Sequence, residues 1–351
     1  MKRKKISWAA AAVCFLLMLF GVTIYTIGAF RKIAQEISSR EEMATATYSS
    51  YYALISENDD SLLWDSIYEG ARKEGVENWD ACVEFFGDRL VSECTVEDRM
   101  QMAIDAGVDG IILNGDGSAE LDELVREARK NGIPVVTVLN DSAEDIRQCF
   151  VGVNNYNLGR EYADRIWSLV WELQSSCQVQ VLLNSRNEDP GKNTLLLGLR
   201  ERLEKKMEQQ DWEPQIQISA TAVDGNDAFQ TEEIIRQIMV DAGSQPRILV
   251  CLSEADTRRA YQAAVDYNRV GDVRILGYYE SRQVLEGIEK NIIDSTITVD
   301  GEQVGRLCVQ ALGEYRDTGY VNGYLPVDTC LIDRENVEEY LEQYPEQGDM
   351  S

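Results

Sequence analysis

Histidine is absent from this sequence, and basic residues are scarce. The chain has 34 lysines and arginines against 61 aspartates and glutamates, which leaves a net charge of −27. Without histidine, Ser-His-Asp and Cys-His catalytic arrangements and imidazole metal sites are excluded. The negative charge opposes binding to a phosphate backbone, so nucleic acid is not an expected partner. An enzyme is therefore disfavoured, and neither a cofactor nor a metal ion is predicted.

Three common functional motifs are also missing. Glycines follow a strand-like run near Gly110 to Gly117, but no G-x-G-x-x-G precedes a helix and no Walker-type lysine is present. The 8 cysteines are irregularly spaced and contain no C-x-x-C. Neither a zinc ribbon nor a dense disulfide scaffold is indicated. Several cysteines follow apolar runs, which favours small buried thiols, with one surface disulfide as the alternative.

An uncharged apolar run from Ile6 to Phe30 follows four basic residues at the N-terminus. A helix of this length crosses a hydrocarbon core of about 30 Å, whereas the apolar part of a cleaved signal peptide is only about 7–15 residues long. We therefore predict a cytoplasmic basic tail at 1–5, an uncleaved transmembrane anchor at 6–30 and a juxtamembrane stalk at 31–49. The excess of basic residues before the run predicts a single-pass protein of the cell membrane whose remaining chain is extracytoplasmic.

Beyond the stalk, short apolar runs alternate regularly with longer amphipathic segments. Gly110–Leu113 and Cys149–Gly152 are almost continuously apolar, and the more mixed runs Ser295–Val299 and Ile216–Ile218 are predicted to be strands as well. The amphipathic segment from about Val96 to Ala106 is predicted to be a helix. Such runs, separated by helical patterns, are typical of parallel strands covered on both faces. The sequence therefore predicts an α/β protein with two doubly wound parallel-sheet lobes. Ligands bind such sheets beyond the carboxyl ends of the strands, and two facing lobes form a cleft there.

Three segments, in order, carry a resemblance to a known family. They are AGVDGIILN at 106–114 followed by NGIPVVT at 131–137, VGVNNYNLGR at 151–160, and the stretch from Ile292 to Gly305. From about residue 51 to residue 340, the chain resembles the type I periplasmic solute-binding proteins of the ribose/galactose branch, related to the ligand-binding domains of lactose-repressor-like regulators. The second and third segments are similar to the interlobe segment and the returning hinge of that family.

The resemblance implies discontinuous lobes joined by three hinge crossings. Lobe one would comprise 50–153 and 300–325, lobe two 154–299 and 326–342, and an acidic tail would follow at 343–351. The implied function is that of a membrane-tethered solute-binding protein, which closes on a sugar or sugar-like ligand and presents it to an ABC importer or a sensor histidine kinase. The alternative from another class is a membrane-anchored enzyme that uses carboxylates on the same fold.

The resemblance also implies ligand contacts in lobe one. Trp64 matches an aromatic residue that stacks on sugar faces, and Glu57 and Ser61 precede it in the same loop. An aromatic plane suits the apolar C–H face of a sugar ring. Asn140 and Asp141 match a polar pair that follows a strand. The alternatives are that Trp64 is a core residue and that Asp141 caps the following turn.

In lobe two, the implied contacts are Asn155 in the interlobe segment, Asn193 near a common family arginine, and Ser253 after a strand. Asp256, three residues after Ser253, is expected to be a helix cap.

Two positions depart from the family pattern. The strand that ends in Gly-Phe-Asp in the family ends here in Tyr279, and the hinge amide is replaced by Val299 with Asp300 beside it. Tyr279 and Asp300 are therefore the expected contacts at these positions. Sugar discrimination depends on buried polar partners, so their loss leaves a modified sugar, a nucleoside, a small signalling compound or a peptide fragment open as ligands.

Overall fold

The computed structural model describes residues 47–56, 62–86, 94–115, 118–142, 145–184, 190–210, 212, 214–223, 227–241 and 247–344. The predicted basic tail, the predicted anchor, most of the predicted stalk and most of the predicted acidic tail lie outside these residues. In the described part of the chain, no helix combines the length and the apolar character needed to cross a membrane.

In the described ranges, twelve strands form two sheets of six strands each. Sheet one has the order β11-β5-β4-β3-β1-β2 and sheet two the order β12-β10-β9-β8-β6-β7. The strands are β1 Ser50–Ile55, β2 Ala81–Phe85, β3 Gly110–Leu113, β4 Val135–Val138, β5 Cys149–Gly152, β6 Cys177–Asn184, β7 Ile216–Val223, β8 Arg247–Cys251, β9 Val273–Tyr278, β10 Ser295–Val299, β11 Tyr324–Pro326 and β12 Thr329–Asp333.

All neighbouring strands of sheet one are parallel, and so are those of sheet two except the edge pair β10 and β12, which is antiparallel. β3 and β4 are apolar except for Thr137, and both strands are buried along their whole length, as strands covered on both faces must be. β10 contains serine and threonines but is also buried throughout. The predicted α/β architecture with two parallel-sheet lobes is therefore confirmed. We call the lobe built on sheet one lobe one and the lobe built on sheet two lobe two.

Helices connect the strands and cover both faces of each sheet. They are α1 Leu62–Glu74, continued by a π-helical turn at Gly75–Trp79, then α2 Val96–Ala106, α3 Ala119–Lys130, α4 Asn155–Leu173, α5 Pro190–Met207, α6 Ala228–Val240, α7 Glu254–Asp266, α8 Arg282–Glu289, α9 Gly301–Thr318 and α10 Val337–Leu341. In lobe one, α2 and α3 cover one face and α1 and α9 the other. In lobe two, α6, α7 and α8 cover one face and α4 and α5 the other.

The chain passes between the lobes three times, each time after the carboxyl end of a strand. It leaves sheet one after β5 and returns after β10, and then passes from β11 in sheet one to β12 in sheet two. The crossing segments contain Val153, Val299 and Val327, which are all buried in one apolar cluster with residues of both lobes. The crossings therefore bring the carboxyl edges of both sheets to the same region.

α4 and α9 each follow a crossing between the lobes. Each packs in direct backbone contact with the helix that follows the first strand of the lobe it enters, which is α5 for α4 and α1 for α9. A Cβ built on Gly305 of α9 would lie 1.9 Å from the carbonyl oxygen of Ile67 in α1, and one built on Gly159 of α4 would lie 2.1 Å from that of Leu195 in α5. Only glycine fits at such distances. The facing helices contain matching glycines. A Cβ built on Gly70 of α1 would lie 2.2 Å from a carbonyl oxygen of α9, and one built on Gly198 of α5 would lie 2.2 Å from a carbonyl oxygen of α4.

Four cysteines are buried small side chains, as their positions after apolar runs predict. Cys149, Cys177, Cys251 and Cys308 are all 0% exposed. Burial raises the pKa of Cys177 to about 11 and that of Cys149 to about 12. These thiols therefore remain protonated at neutral pH and contribute to the protein as apolar packing groups.

We expect Gly305→Ala to lower the free energy of unfolding by about 1–3 kcal/mol, because the added methyl group forces α9 away from α1. The neighbouring exposed substitution Arg306→Ala is the matched control, with an expected change within about 0.5 kcal/mol. Urea unfolding of both variants measures the difference. Equal stabilities would show that the α1 and α9 backbones have room to separate.

Candidate functional site

The loops that follow the carboxyl ends of the strands meet where the chain crosses between the lobes. In lobe one, these are the loops after β3 and β4, and in lobe two, those after β8, β9 and β10. Helices in both lobes begin at the same edges, so their amino ends, with free backbone N–H groups, point towards this region. The region between the lobes is therefore the candidate site.

Two amide side chains lie side by side at the edge of lobe one. Asn114 follows β3 directly, and the Asn140 Nδ2 atom donates to its Oδ1 atom at 3.1 Å. Leu139 between β4 and Asn140 has a φ of 61°, which turns the chain so that Asn140 is exposed. Within the described residues, the Asn140 oxygen and the Asn114 amino group retain hydrogen-bonding capacity for a ligand.

The neighbouring Asp141 carboxylate is held inside the lobe. Arg147 donates to both of its oxygens at 2.6 Å, and the Thr137 hydroxyl donates to one of them, also at 2.6 Å. The Arg147 side chain is 6% exposed and that of Asp141 31%. Arg147 also donates to the Gly323 carbonyl at 2.6 Å, just before β11. Through Arg147, Asp141 therefore holds the segment just before β11 in lobe one. The Asp141 carboxylate is already paired.

Two tyrosines in ring contact lie where β9 ends, at the edge of lobe two. The rings of Tyr278 and Tyr279 lie 4.0 Å apart between centroids, and their hydroxyls hydrogen-bond to each other. Tyr279 has a φ of 61°, and its backbone is held by a 2.7 Å hydrogen bond from its N–H to the Ile297 carbonyl. Burial raises the pKa of Tyr278 to about 12 and that of Tyr279 well above its usual range. Both hydroxyls are therefore neutral at physiological pH.

The next residue, Glu280, is a carboxylate without a cationic partner in the described part of the chain. The Thr298 hydroxyl of β10 donates to it. Burial raises the pKa of Glu280, and the hydrogen bond from Thr298 opposes that shift only in part. Tyr340 and Tyr344 lie close enough for the Glu280 charge to raise their own pKa values.

Several predicted contacts are helix caps at this edge. The Ser253 hydroxyl accepts the Asp256 N–H at 3.1 Å at the start of α7, so Ser253 is the cap, and the expectation that Asp256 caps this helix is wrong. Asp256 instead pairs with an arginine one turn further on, at 2.9 Å. Asp300 is exposed and caps α9, and Asn155 is the first residue of α4 after its cap Asn154.

Trp64 lies in α1 and is only 4% exposed, within the apolar core cluster of lobe one. Its contact with a ligand stays a prediction. Glu57 and Ser61 lie outside the described residues. Asn193 belongs to α5, and its side chain also lies outside them.

The structure brings three residues to this region that the sequence analysis did not select. Asn114 follows the carboxyl end of a predicted strand, so the same rule that selected Asn140 could have found it. Glu280 comes directly after Tyr279, which the sequence analysis had selected at the end of the same strand. Arg147 had no such signal, because its partner Asp141 is in the same loop and nothing in the spacing indicates that they pair.

One family matches most of the chain. The family described as "Periplasmic binding protein domain" matches residues 52–319. No curated protein matches the chain.

Solved structures of similar fold include three with almost complete coverage of their own chains. GanP, a glucose-galactose binding protein from Geobacillus stearothermophilus, is 20% identical with a TM-score of 0.67, covering 83% of this chain and 99% of that chain. A sugar-binding protein of a sugar ABC transporter from Bacillus halodurans is 18% identical with a TM-score of 0.66, covering 83% and 99%. A XylFII-LytSN complex is 22% identical with a TM-score of 0.61, covering 82% and 99%. At these identities, the likeness concerns the fold alone.

We expect Asp141→Asn to lower the free energy of unfolding by about 3 kcal/mol, because it leaves the buried Arg147 charge without its carboxylate partner. Asn140→Ala, in the same loop but exposed, is the control and is expected to change it by less than about 0.5 kcal/mol. Thermal unfolding of the two variants tests this. A destabilised Asn140→Ala variant with an unaffected Asp141→Asn variant would contradict the assigned roles.

Glu280 predicts a pH dependence of stability. Since its pKa is raised in the folded state, the folded state binds the proton more tightly, and the stabilisation is full below the unfolded pKa of about 4.3 and is lost as the pH rises through the folded pKa. Glu280→Gln, which cannot ionise, should therefore gain stability relative to the unmodified protein between pH 4 and pH 7. Urea unfolding midpoints of both proteins at pH 4 and pH 7 measure this gain. The same difference in midpoint at both pH values would refute the burial of this carboxylate.

Proposed function

Since the chain belongs to the periplasmic binding protein domain family, we propose that it is an extracytoplasmic solute-binding protein that closes its two lobes on a small sugar or sugar-like ligand. The observation that carries the proposal is the convergence of both carboxyl edges at three interlobe crossings. A ligand that contacts both edges interacts with both lobes only in the closed state. Its binding therefore shifts the population towards closure, which converts binding into a change of shape.

The polar groups of the candidate site that keep some hydrogen-bonding capacity suit a neutral, hydroxyl-rich ligand. Lobe one offers the amides of Asn114 and Asn140, and lobe two the neutral hydroxyls of Tyr278 and Tyr279. Amides and hydroxyls supply both donors and acceptors, which matches the alternating needs of sugar hydroxyls. The tyrosine rings offer apolar area for the C–H faces of a sugar ring.

The charge of the site favours the same ligand class. Arg147 is already engaged with Asp141, and Glu280 and Asp300 add acidic groups on lobe two. An anionic ligand such as a sugar phosphate would meet carboxylates at this edge and repulsion from a chain of net charge −27. A neutral sugar, a nucleoside or a modified sugar is therefore the proposed ligand class.

We propose a membrane protein as the partner of the closed form, either an ABC importer or a sensor histidine kinase. Two structural neighbours support this choice, since one is a sugar-binding protein of a sugar ABC transporter and the other is a complex of XylFII with LytSN. The predicted anchor at 6–30 would hold the lobes beside such a partner and raise their local concentration there.

The proposal is tested with the full-length chain in detergent by a thermal-shift screen of neutral sugars, sugar phosphates, nucleosides and amino acids. A ligand at 100 times its dissociation constant should stabilise the fold by roughly 2.7 kcal/mol. We expect a neutral sugar or nucleoside to give the largest shift, and Asn140→Ala to reduce it without lowering the stability of the unliganded protein.

The matched control is Asn322→Ala, an exposed asparagine at the opposite end of sheet one, before β11. It should leave the ligand-induced shift unchanged. A panel without any shift, or a shift that survives both Asn140→Ala and Tyr279→Phe, would overturn the proposed site. Conversion of the bound compound, followed by mass spectrometry, would instead support the carboxylate-dependent enzyme.

A further inference from the structure

Sheets end in strands with unpaired backbone groups, and three of the four edge strands here carry the usual protection against pairing with another chain. β2 includes Glu84, β11 has only three residues and ends in Pro326, and β12 ends in Asp333. Charges, proline and short length all discourage a further strand from adding to an edge.

The fourth edge strand, β7, has none of these features. It runs for eight residues with the sequence IQISATAV, which contains neither a charge nor a proline. Its residues pair with β6 along the whole length, from Cys177 opposite Ile216 to Asn184 opposite Val223. No strand of the described residues pairs with its other side. β7 is therefore a long and uncharged edge that can accept a further strand.

The helix that follows this edge carries an exposed stripe along one flank. Phe229 is 80% exposed and Val240 48% exposed, although both are apolar. Between them lie Glu233 and Arg236, whose side chains are 40% and 42% exposed and form an ion pair. At about 100° of rotation per residue, all four positions fall on the same side of α6. We call these four residues the α6 stripe.

The α6 stripe points away from the rest of lobe two. Thr231, Ile235 and Met239 face the sheet and are buried. Ile234 and Ile238 are partly buried in the lobe-two cluster and lie on the flank where α6 contacts α7. The stripe lies on the opposite flank, on the side of the sheet where β7 is the edge.

We propose that β7 and the α6 stripe form the interface of a symmetric dimer of this chain. A two-fold axis makes the two β7 strands antiparallel and places each α6 beside its symmetry mate. One two-fold axis, normal to the sheet, serves both elements. Where it passes between residues 234 and 235 of the two helices, it sets Phe229 opposite Val240 of the second copy and Glu233 opposite Arg236 of the second copy. Where it passes between the two strands at Ser219, it pairs Ile218 with Ala220 and Ile216 with Ala222 of the second copy and brings no charges together.

The second copy is the occupant that the charges favour. A chain of net charge −27 repels its own copies over most of its surface. At this face, the strand is uncharged, and the α6 stripe carries one acid and one base at positions that a two-fold axis exchanges. Glu232, exposed beside the stripe, has Gln237 of the second copy at the equivalent level of the helix rather than another acid. The face is therefore complementary to itself, as an isologous interface must be.

The test is the mass of the full-length chain in detergent, measured by light scattering with the detergent contribution subtracted. We expect a dimer for the unmodified chain. Glu233→Arg and Arg236→Glu, made singly, place like charges across the axis, so each should weaken the dimer by about tenfold or more. The double variant Glu233→Arg with Arg236→Glu restores opposite charges and should restore the dimer. The fold is not at risk, because an exposed ion pair contributes less than about 1 kcal/mol.

Phe229→Asp should also give a monomer, and Tyr320→Asp is its matched control, since Tyr320 is 70% exposed and lies in lobe one. Hydrogen exchange provides a second readout, because β7 amides protected in the dimer should exchange faster in Glu233→Arg. A monomeric unmodified chain would overturn the proposal. So would a dimer that survives Phe229→Asp and both single charge variants, since its interface would then lie elsewhere, for instance in the predicted anchor.

Discussion

Close backbone contact between two pairs of helices is the constraint on which the two-lobed structure depends. α4 and α9 each leave one sheet and pack on the other lobe, against α5 and α1, the helices that follow the first strands of those lobes. Gly159 and Gly305 stand where any side chain would meet a carbonyl oxygen of the facing helix. Both helix pairs therefore rely on the same type of glycine contact, and α4 and α9 are held in their lobes in equivalent ways.

Short crossings after the carboxyl ends of strands determine where the candidate site lies. The loops of both lobes that carry polar side chains lie next to these crossings and therefore next to each other. Within these loops, some polar side chains are already fully paired with other residues, and others keep hydrogen-bonding capacity. Asp141 is bound by Arg147 and Thr137, whereas Asn140 is exposed and shares only one hydrogen bond with Asn114.

Most elements could be predicted from the sequence because their signals are local. The bounds of α2 and of β3, β5 and β10 agree with the sequence prediction. β3 and β5 are nearly continuous apolar runs, and α2 begins at a Thr95 capping box and ends at Gly107. The start of α7 was misplaced because Ser253 and Asp256 are both good capping residues, and only the backbone geometry selects one. β7 continues five residues beyond the predicted Ile216–Ile218, because a half-exposed edge strand of small and polar residues lacks the apolar pattern of a buried strand.

By itself, the sequence determined the α/β alternation, the two-lobe architecture, the acidic surface and the family to which the chain is similar. These properties follow from composition, apolar periodicity and short motifs, all of which act over neighbouring residues. The tertiary structure alone decided which polar residues remain available at the cleft, which helix flank faces outward and which sheet edge is open. Those properties depend on contacts between segments far apart in the chain, such as Arg147 with Gly323 or Tyr279 with Ile297. Such contacts cannot be derived from spacing along the sequence, because they form only when the two lobes fold and the chain crosses between them.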